Sequence, residues 1–566
     1  MKQLLIFLLL VCSTISLFAT NDLDKELYSY YEKNGIRVEN KSVDDYTMVR
    51  RLYLDLAGRI PTLTEIKGFV QDKSVDKKQS LVEKILYSED YVNNYYNFWA
   101  DILRIRPDRL ADDLQLKSYG YMELVRDFIR SDEPYDVFVQ KLLTSQGRIM
   151  DNPYGLYMLR DANIDDTLGY TISTFLGKDI QCAACHDSPF TDDSQLDFYQ
   201  LKAFFNNDNR ENRKDYGQVI KKVDDDIKKI TGKDRIDNNV RQLLGLNLLN
   251  IKDNPGKQVK MPFDYRYSNA KPNEIVVAAT FDKKYTNITE NKRAVFAKWI
   301  IQNDRFSTNL VNRMWENIVG MPLYENMGAW EENSKTKSVA QFLSKYFIEN
   351  NYSVKALIKQ IVLSDFYSRP IQDVYGLKSL TIKRLSAEQI WDSLLTLIIQ
   401  DVNYSRISFD EYSKLIKIDW DTISGESLLK QVESIREWEK SINKNFLRYK
   451  NIDLARSCFI MNRNSFVEIL QKEFGASDRL LLDTSNNKGS ISQLLLLMNS
   501  NLIDVITDKK SQLMTDFEHD QKNKNSIFTA IMGRPYRLDE TNLINSTKVE
   551  DLIWVLINTR EVMFRR

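Results

Sequence analysis

Apolar residues recur at three- and four-residue spacing along most of this chain, while strand-like runs are few. Val339, Phe342, Leu343, Tyr346 and Phe347 fall at i, i+3, i+4, i+7 and i+8, the stripe that one face of an amphipathic helix turns toward a core. Leu81 with Ile85, and Tyr53 with Leu56, belong to shorter segments of the same kind. Thr62 follows Pro61 and stands three residues before Glu65, so each side chain can satisfy the other's backbone N–H; this spacing predicts a capped helix start. Ile275 to Ala279 is the best strand candidate. Leu494 to Met498 is too short to cross a membrane and reads as a buried helix face. With 11 Pro and 19 Gly to interrupt it, the pattern predicts a mainly α fold.

The 566 residues exceed what one hydrophobic core usually covers. Met1-Lys2-Gln3 is a short basic start, Leu4 to Val11 is unbroken apolar, and small or polar residues lead to Ala19. Residues 1–19 therefore read as a secretory signal peptide, with an exported, periplasmic or cell-surface protein as the expectation. Lipidation at Cys12 is disfavoured, because Val11 stands where a small residue is needed. Between 207 and 290 the composition shifts. The mixed-charge run Lys221 to Lys229 reads as a solvated helix or arm, and Asn254-Pro255-Gly256 and Lys271-Pro272-Asn273 as turns. The layout expected is two helical domains, 20–206 and 291–566, joined by a charged, partly irregular connection over 207–290. Lys plus Arg and Asp plus Glu both number 79, which removes the electrostatic case for nucleic acid or an anionic membrane. No stretch beyond the leader is long enough to be a transmembrane segment, and the P-loop, G-x-S-x-G and H-E-x-x-H signatures are missing. Gly58-Arg59-Ile60-Pro61 and Gly533-Arg534-Pro535 each precede an acidic helix start, a faint echo between the two ends.

The chain has 4 Cys and 2 His, and Cys182-Ala183-Ala184-Cys185-His186 uses half of each. This is the attachment signature of a c-type haem: each thiol can bond a haem vinyl, and the histidine that follows becomes the proximal iron ligand. Two other readings stay open at this point, a disulfide or redox-active CxxC, and a zinc site that only Cys458 and His519 remain to complete. In the haem reading the second ring nitrogen of His186 should donate to a backbone carbonyl or a carboxylate. Asp187 reads as a cap for the next turn. Nearby aromatics such as Tyr157, Phe175, Phe190, Phe198 and Phe204 suit helix core better than haem walls. The distal ligand is unknown; the weak candidates are Met158, Met150 and His519. Arg313 and Trp315 beside Asn312, with Arg384 and Glu388 at i, i+4, form a further polar cluster that reads as structural ion pairing.

Several stretches resemble one family. Arg50 to Thr62 is similar to the opening of the planctomycete-type cytochrome-like proteins, a two-domain secreted family of unknown function. Phe175-Leu176-Gly177, Ile180 to Asp187, Pro189-Phe190 and Phe198-Tyr199 resemble its haem-type signature. Arg293, Trp299, Val311 to Trp315, Arg384 to Glu388, Phe474-Gly475, Asp478-Arg479, Leu496 to Asn499 and Arg534-Pro535 resemble the C-terminal companion domain. The resemblance implies the domain layout and a cytochrome-like character. The chain departs from the family at Ser188, where relatives commonly carry a second histidine, so any role of that histidine is lost or altered here.

Together these observations lead to the expectation of an exported protein with one covalently attached haem c. Electron transfer is its expected task, with the C-terminal domain docking a protein redox partner in the cell envelope. The alternatives are a haem-dependent oxidoreductase with an open sixth position, and a haem-free interaction protein with a Cys182–Cys185 disulfide. N-terminal sequencing of the exported chain is expected to begin at Thr20; an intact Met1 would remove the export expectation.

Overall fold

The computed structural model describes residues 21–566 except 40, 107–118, 162, 206, 209–212, 234–236, 255–256, 326–334, 373–376, 405–408, 446, 461–464, 483–484 and 487. The expected signal peptide and Cys12 thus lie outside the described residues. Helices build the described fold, and its strands are two to four residues long. The stripe at 339–347 forms helix Lys337–Glu349, with Val339, Leu343 and Phe347 fully buried. Thr62 and Glu65 make the reciprocal capping bonds that open helix Leu63–Gln71. Ile275–Val276 pairs antiparallel with Val259–Lys260, Val259 opposite Val276. No helix among the described residues is long and apolar enough to cross a membrane.

Two expectations change. Helix Ile491–Asn499 buries only Gln493 and Leu497, while Leu494 and Leu495 are 45% and 49% exposed. An unbroken apolar run has no period of its own, so its neighbour, helix Phe466–Glu473, decides which narrow stripe is covered. The mixed-charge run at 221–229 lies in helix Arg213–Thr231, whose Val223 and Ile227 are buried where it runs along helix Gly425–Asn445. The approach is close at Gly425, where a Cβ would lie 2.7 Å from Asp226 Cβ and 2.9 Å from the Ile227 nitrogen. The run is thus a helix with a docked apolar edge and charged remaining faces. Asn250–Asp253, also within 207–290, is the central strand of a three-stranded sheet with Gly147–Arg148 and Asn207–Asp208.

Two hydrophobic cores form, and each draws residues from both parts of the chain. One core runs from Leu23 through the N-terminal helices to Phe296, Trp315, Phe366 and Phe459. A second joins Leu385 to Val562 and takes in Leu54, Ile60 and Leu63 from near the N-terminus. Buried arginines tie them together. From helix Asp45–Leu52, Arg51 donates to the carbonyls of Tyr367 (2.9 Å), Arg369 (2.8 Å) and Arg566 (2.5 Å), and Arg50 to those of Ile531 and Val562. Arg565 answers from the other end. It pairs with Asp55 at 3.2 Å and donates to the carbonyls of Ile318, Val319 and Thr381. Asp55 lies on a π-helical turn, Tyr53–Ala57, and also accepts from the Tyr367 hydroxyl at 2.8 Å.

The faint echo between the ends becomes a repeated construction. Arg59 and Arg534 each follow a left-handed glycine, Gly58 or Gly533. Arg59 forks onto Glu65, six residues on, and onto Asp90; Arg534 forks onto Glu540, also six residues on, and onto Glu561. In both, the same glutamate also accepts a backbone N–H three residues before it, from Thr62 or Arg537.

Replacing Asp55 with Ala strands the Arg565 guanidinium in the core, and loss of one partner from a buried pair typically costs about 3–5 kcal/mol. Urea unfolding of Asp55→Ala is expected to show an unfolding free energy lowered by that amount; a change within experimental scatter would show that the pair carries no stability.

Candidate functional site

Helix Ile164–Leu176 stops at Gly177, whose φ of 62° gives the left-handed cap, and the chain turns through the 3-10 segment Gln181–Ala184 before helix Gln195–Lys202. Ile180 and Ala183 are buried and pin the turn. Cys182 lies within this segment and Cys185 caps its end, one 3-10 turn further on. Both thiols are free and exposed. The Cys182 carbonyl accepts from the N–H groups of Cys185 (3.2 Å) and His186 (3.3 Å), which closes the turn.

His186 Nδ1 lies 2.8 Å from the carbonyl oxygen of Asp187. The peptide that supplies this acceptor is itself held, since its N–H, that of Ser188, donates to the Asp193 carbonyl at 2.8 Å; beside it the Asp187 N–H donates to the Tyr267 hydroxyl at 3.0 Å, and Asp187 Oδ1 accepts from the Gln195 N–H at 2.8 Å. Ser194 caps that helix, and Asp187 adds an acceptor for its first N–H instead of capping its own turn. Gln195 Nε2 reaches back to the Cys185 carbonyl at 3.0 Å. Sequence reasoning missed Tyr267 and Gln195; Tyr267 lies 80 residues away, and no local signal marks it. Ser188 accepts from the N–H groups of Phe190 and Thr191 and so shapes the loop. Tyr157, Phe175, Phe198 and Phe204 are buried core, whereas Phe190 is 85% exposed. Phe263, in the segment that carries Tyr267, is 81% exposed. Burial raises the Tyr199 phenol above its usual range, and the charges of Asp165 and Cys185 push the same way.

The weak distal candidates lie elsewhere. Met158 is sealed in the main core, Met150 packs against that core, and His519 ends helix Gln512–His519 beside Asp516. Cys458, one of the two residues left to complete a zinc site, is buried, with its thiol 3.5 Å from Asn93 Oδ1. Among the described residues no group of three or more His, Cys, Asp or Glu side chains is placed to hold a metal ion.

A second feature opens beside the motif. A polar cleft of about 940 Å³ lies between helices Glu89–Ile102, Ile164–Leu176 and Asp304–Val319 and the start of helix Ala387–Ile398. Gln181, adjacent to Cys182, lines it, as do Asn312, Arg313 and Glu388. The proposed Arg384–Glu388 pair is not formed: Arg384 turns to the Lys488 carbonyl and to Gln493 Oε1 at 2.5 Å, where a capping glutamine offers a fixed acceptor. Asn309 and Asn312 are structural, donating to the Thr174 and Tyr324 carbonyls.

Residues 22–210 match PSCyt2, described as a protein of unknown function (DUF1549), and residues 292–547 match PSD1, a protein of unknown function (DUF1553). Together the two matches cover most of the chain, in the order that the two-domain family resemblance implies. No curated protein and no solved structure matches the chain. The CxxCH turn is thus part of the PSCyt2 domain, and the cleft is walled by both domains. Glu561 and Arg565, which lock the repeated arginine fork and the buried Asp55, lie beyond the PSD1 match.

Lys383, on the PSD1 wall of the cleft, donates to the carbonyl and side-chain oxygens of Asn317. Burial pushes its ammonium down to about 8, against the pull of Asp55 and with the help of Arg565. The unfolded chain keeps that proton up to about 10.4. Between those values the unfolded state binds more protons, so the Lys383 contribution to stability rises with pH. The unfolding free energy of the parent relative to Lys383→Met is therefore expected to move in the parent's favour from pH 8 to 10; parallel curves would refute the shift.

Proposed function

We propose that this protein is an exported c-type haem protein that carries electrons, with Cys182 and Cys185 as covalent anchors and His186 as the proximal ligand. The observation that carries the reading is the His186 ring. Its Nδ1 is 2.8 Å from the Asp187 carbonyl, an acceptor only, so the proton belongs on Nδ1 and the lone pair on Nε2. That is the tautomer and the outer hydrogen bond that an iron-ligating histidine uses. Two exposed thiols one 3-10 turn apart suit thioether formation, since both sulfurs must reach vinyl groups of one macrocycle. Phe190 and Phe263 are exposed apolar side chains in the flanking segments and offer cover for a porphyrin edge.

When bound, the haem supplies a one-electron couple whose potential follows from its axial ligands and their outer contacts. The protein's own part is to hold the proton on Nδ1. Gln195 and Tyr267 do so by fixing the turn and the accepting peptide. The PSD1 domain is assigned to docking a protein partner in the cell envelope. The positions of Met150, Met158 and His519, in or against the core and on a PSD1 helix, favour an oxidoreductase with an accessible sixth position as the second reading.

The test is the visible spectrum of protein exported from a host with working c-type maturation, before and after dithionite. A reduced haem band, a mass gain of one haem and their loss in Cys182→Ala/Cys185→Ala are expected. A colourless parent chain with Cys182 and Cys185 oxidised to each other would overturn the reading.

A further inference from the structure

We propose that the cleft between the PSCyt2 and PSD1 domains binds a neutral, hydroxyl-rich ligand of the oligosaccharide class. At about 940 Å³ it is as large as small-molecule sites usually become, roughly 300–1,000 Å³. Such sites are mostly apolar, whereas here half of the exposed lining is polar, contributed by amides, carboxylates and hydroxyls. An apolar ligand would strip water from those groups and leave them without partners.

Charge narrows the class. Asp101, Asp179, Glu316, Glu325 and Glu388 face the cleft against Arg313 and Lys383. The excess of carboxylates repels phosphate and sulfate groups. A compact cation is poorly served as well. Arg313 and Lys383 stand in the same walls, Arg479 neutralises Asp101 at 2.8 Å, and the Tyr170 ring already holds the Arg104 guanidinium 3.6 Å from its centroid. Alcohol groups, each a donor and an acceptor, match such mixed walls without adding charge. Phe98 offers an apolar surface for the C–H face of a sugar ring.

Part of the wall is fixed in advance, because Asn309 donates to the Thr174 carbonyl, and Asn312 donates to the Tyr324 carbonyl and accepts from the Leu323 and Tyr324 N–H groups. Glu388 differs from them. It is partly buried on the first turn of helix Ala387–Ile398 and makes no hydrogen bond or ion pair among the described residues. Its carboxylate is an acceptor left for a ligand, where the helix N-terminus favours the negative charge. None of this depends on haem.

The mature protein is titrated calorimetrically with neutral cello-, xylo-, manno- and chito-oligosaccharides of two to four units, with a sulfated disaccharide, and with spermine. At least one neutral series is expected to bind. Glu388→Gln and Asp179→Asn should each weaken it ten-fold or more while keeping the parent's circular dichroism and melting temperature. Cys182→Ala/Cys185→Ala should bind the same sugar with unchanged affinity, which separates this result from the fate of the haem reading. Tighter binding of the sulfated sugar or of spermine, no binding by any neutral series, or affinity unmoved by both cleft substitutions would overturn the proposal.

Discussion

The buried pair between Asp55 and Arg565 is the contact on which the rest of the described fold depends, because it joins residues 510 positions apart in an almost fully buried setting. An isolated guanidinium in such a place is strongly disfavoured, so its carboxylate and carbonyl partners must all be assembled at once. Arg565 draws on Asp55 and on carbonyls of Ile318, Val319 and Thr381, and Arg51 draws on Tyr367, Arg369 and Arg566. These requirements bring the first helices of the PSCyt2 domain, the middle of the PSD1 domain and the chain's last residues to one place. The π-helical turn at Tyr53–Ala57 is where the backbone accommodates that demand.

The same economy appears in the arginine forks. Asp90 accepts from Arg59 and Arg456, and although burial alone would raise its carboxyl, these two cations hold it down at about 2. Arg456 also meets Asp392 at 2.7 Å and the Ala57 carbonyl at 2.8 Å, so the fork that begins in the PSCyt2 domain ends in the second core. The Arg534 fork builds the equivalent corner from Glu540 and Glu561. The corner at Arg59 thus spans both cores through Asp90 and Arg456, whereas the corner at Arg534 closes within the second.

Rigid corners leave the two chemical features at the margins. The CxxCH turn stands outward on a buried Ile180 and Ala183, with its thiols exposed and its histidine ring held by a peptide bond. The cleft sits on the other side of Gln181, where PSCyt2 and PSD1 helices meet without filling the space between them. Neither domain could form it alone, since Tyr170 and Asn94 come from one and Arg313 and Glu388 from the other.

Much was legible because it depends on neighbours along the chain. The 3.6-residue stripe at 339–347, the Thr62–Glu65 box, the Ile275–Val276 strand and the CxxCH spacing are each set within a dozen residues, where backbone geometry fixes which side chains meet. The sequence by itself therefore determined a mainly helical protein, the order of its two matching domains and the CxxCH motif. Tertiary structure decided the rest. Which side of 494–498 is covered, that Arg384 turns from Glu388 to Gln493, that Tyr267 steadies Asp187, and that Arg59 and Arg534 are counterparts all depend on partners dozens to hundreds of residues away. Local periodicity carries no information about such partners, because buried charge is satisfied only by whatever the folded chain brings within hydrogen-bond reach.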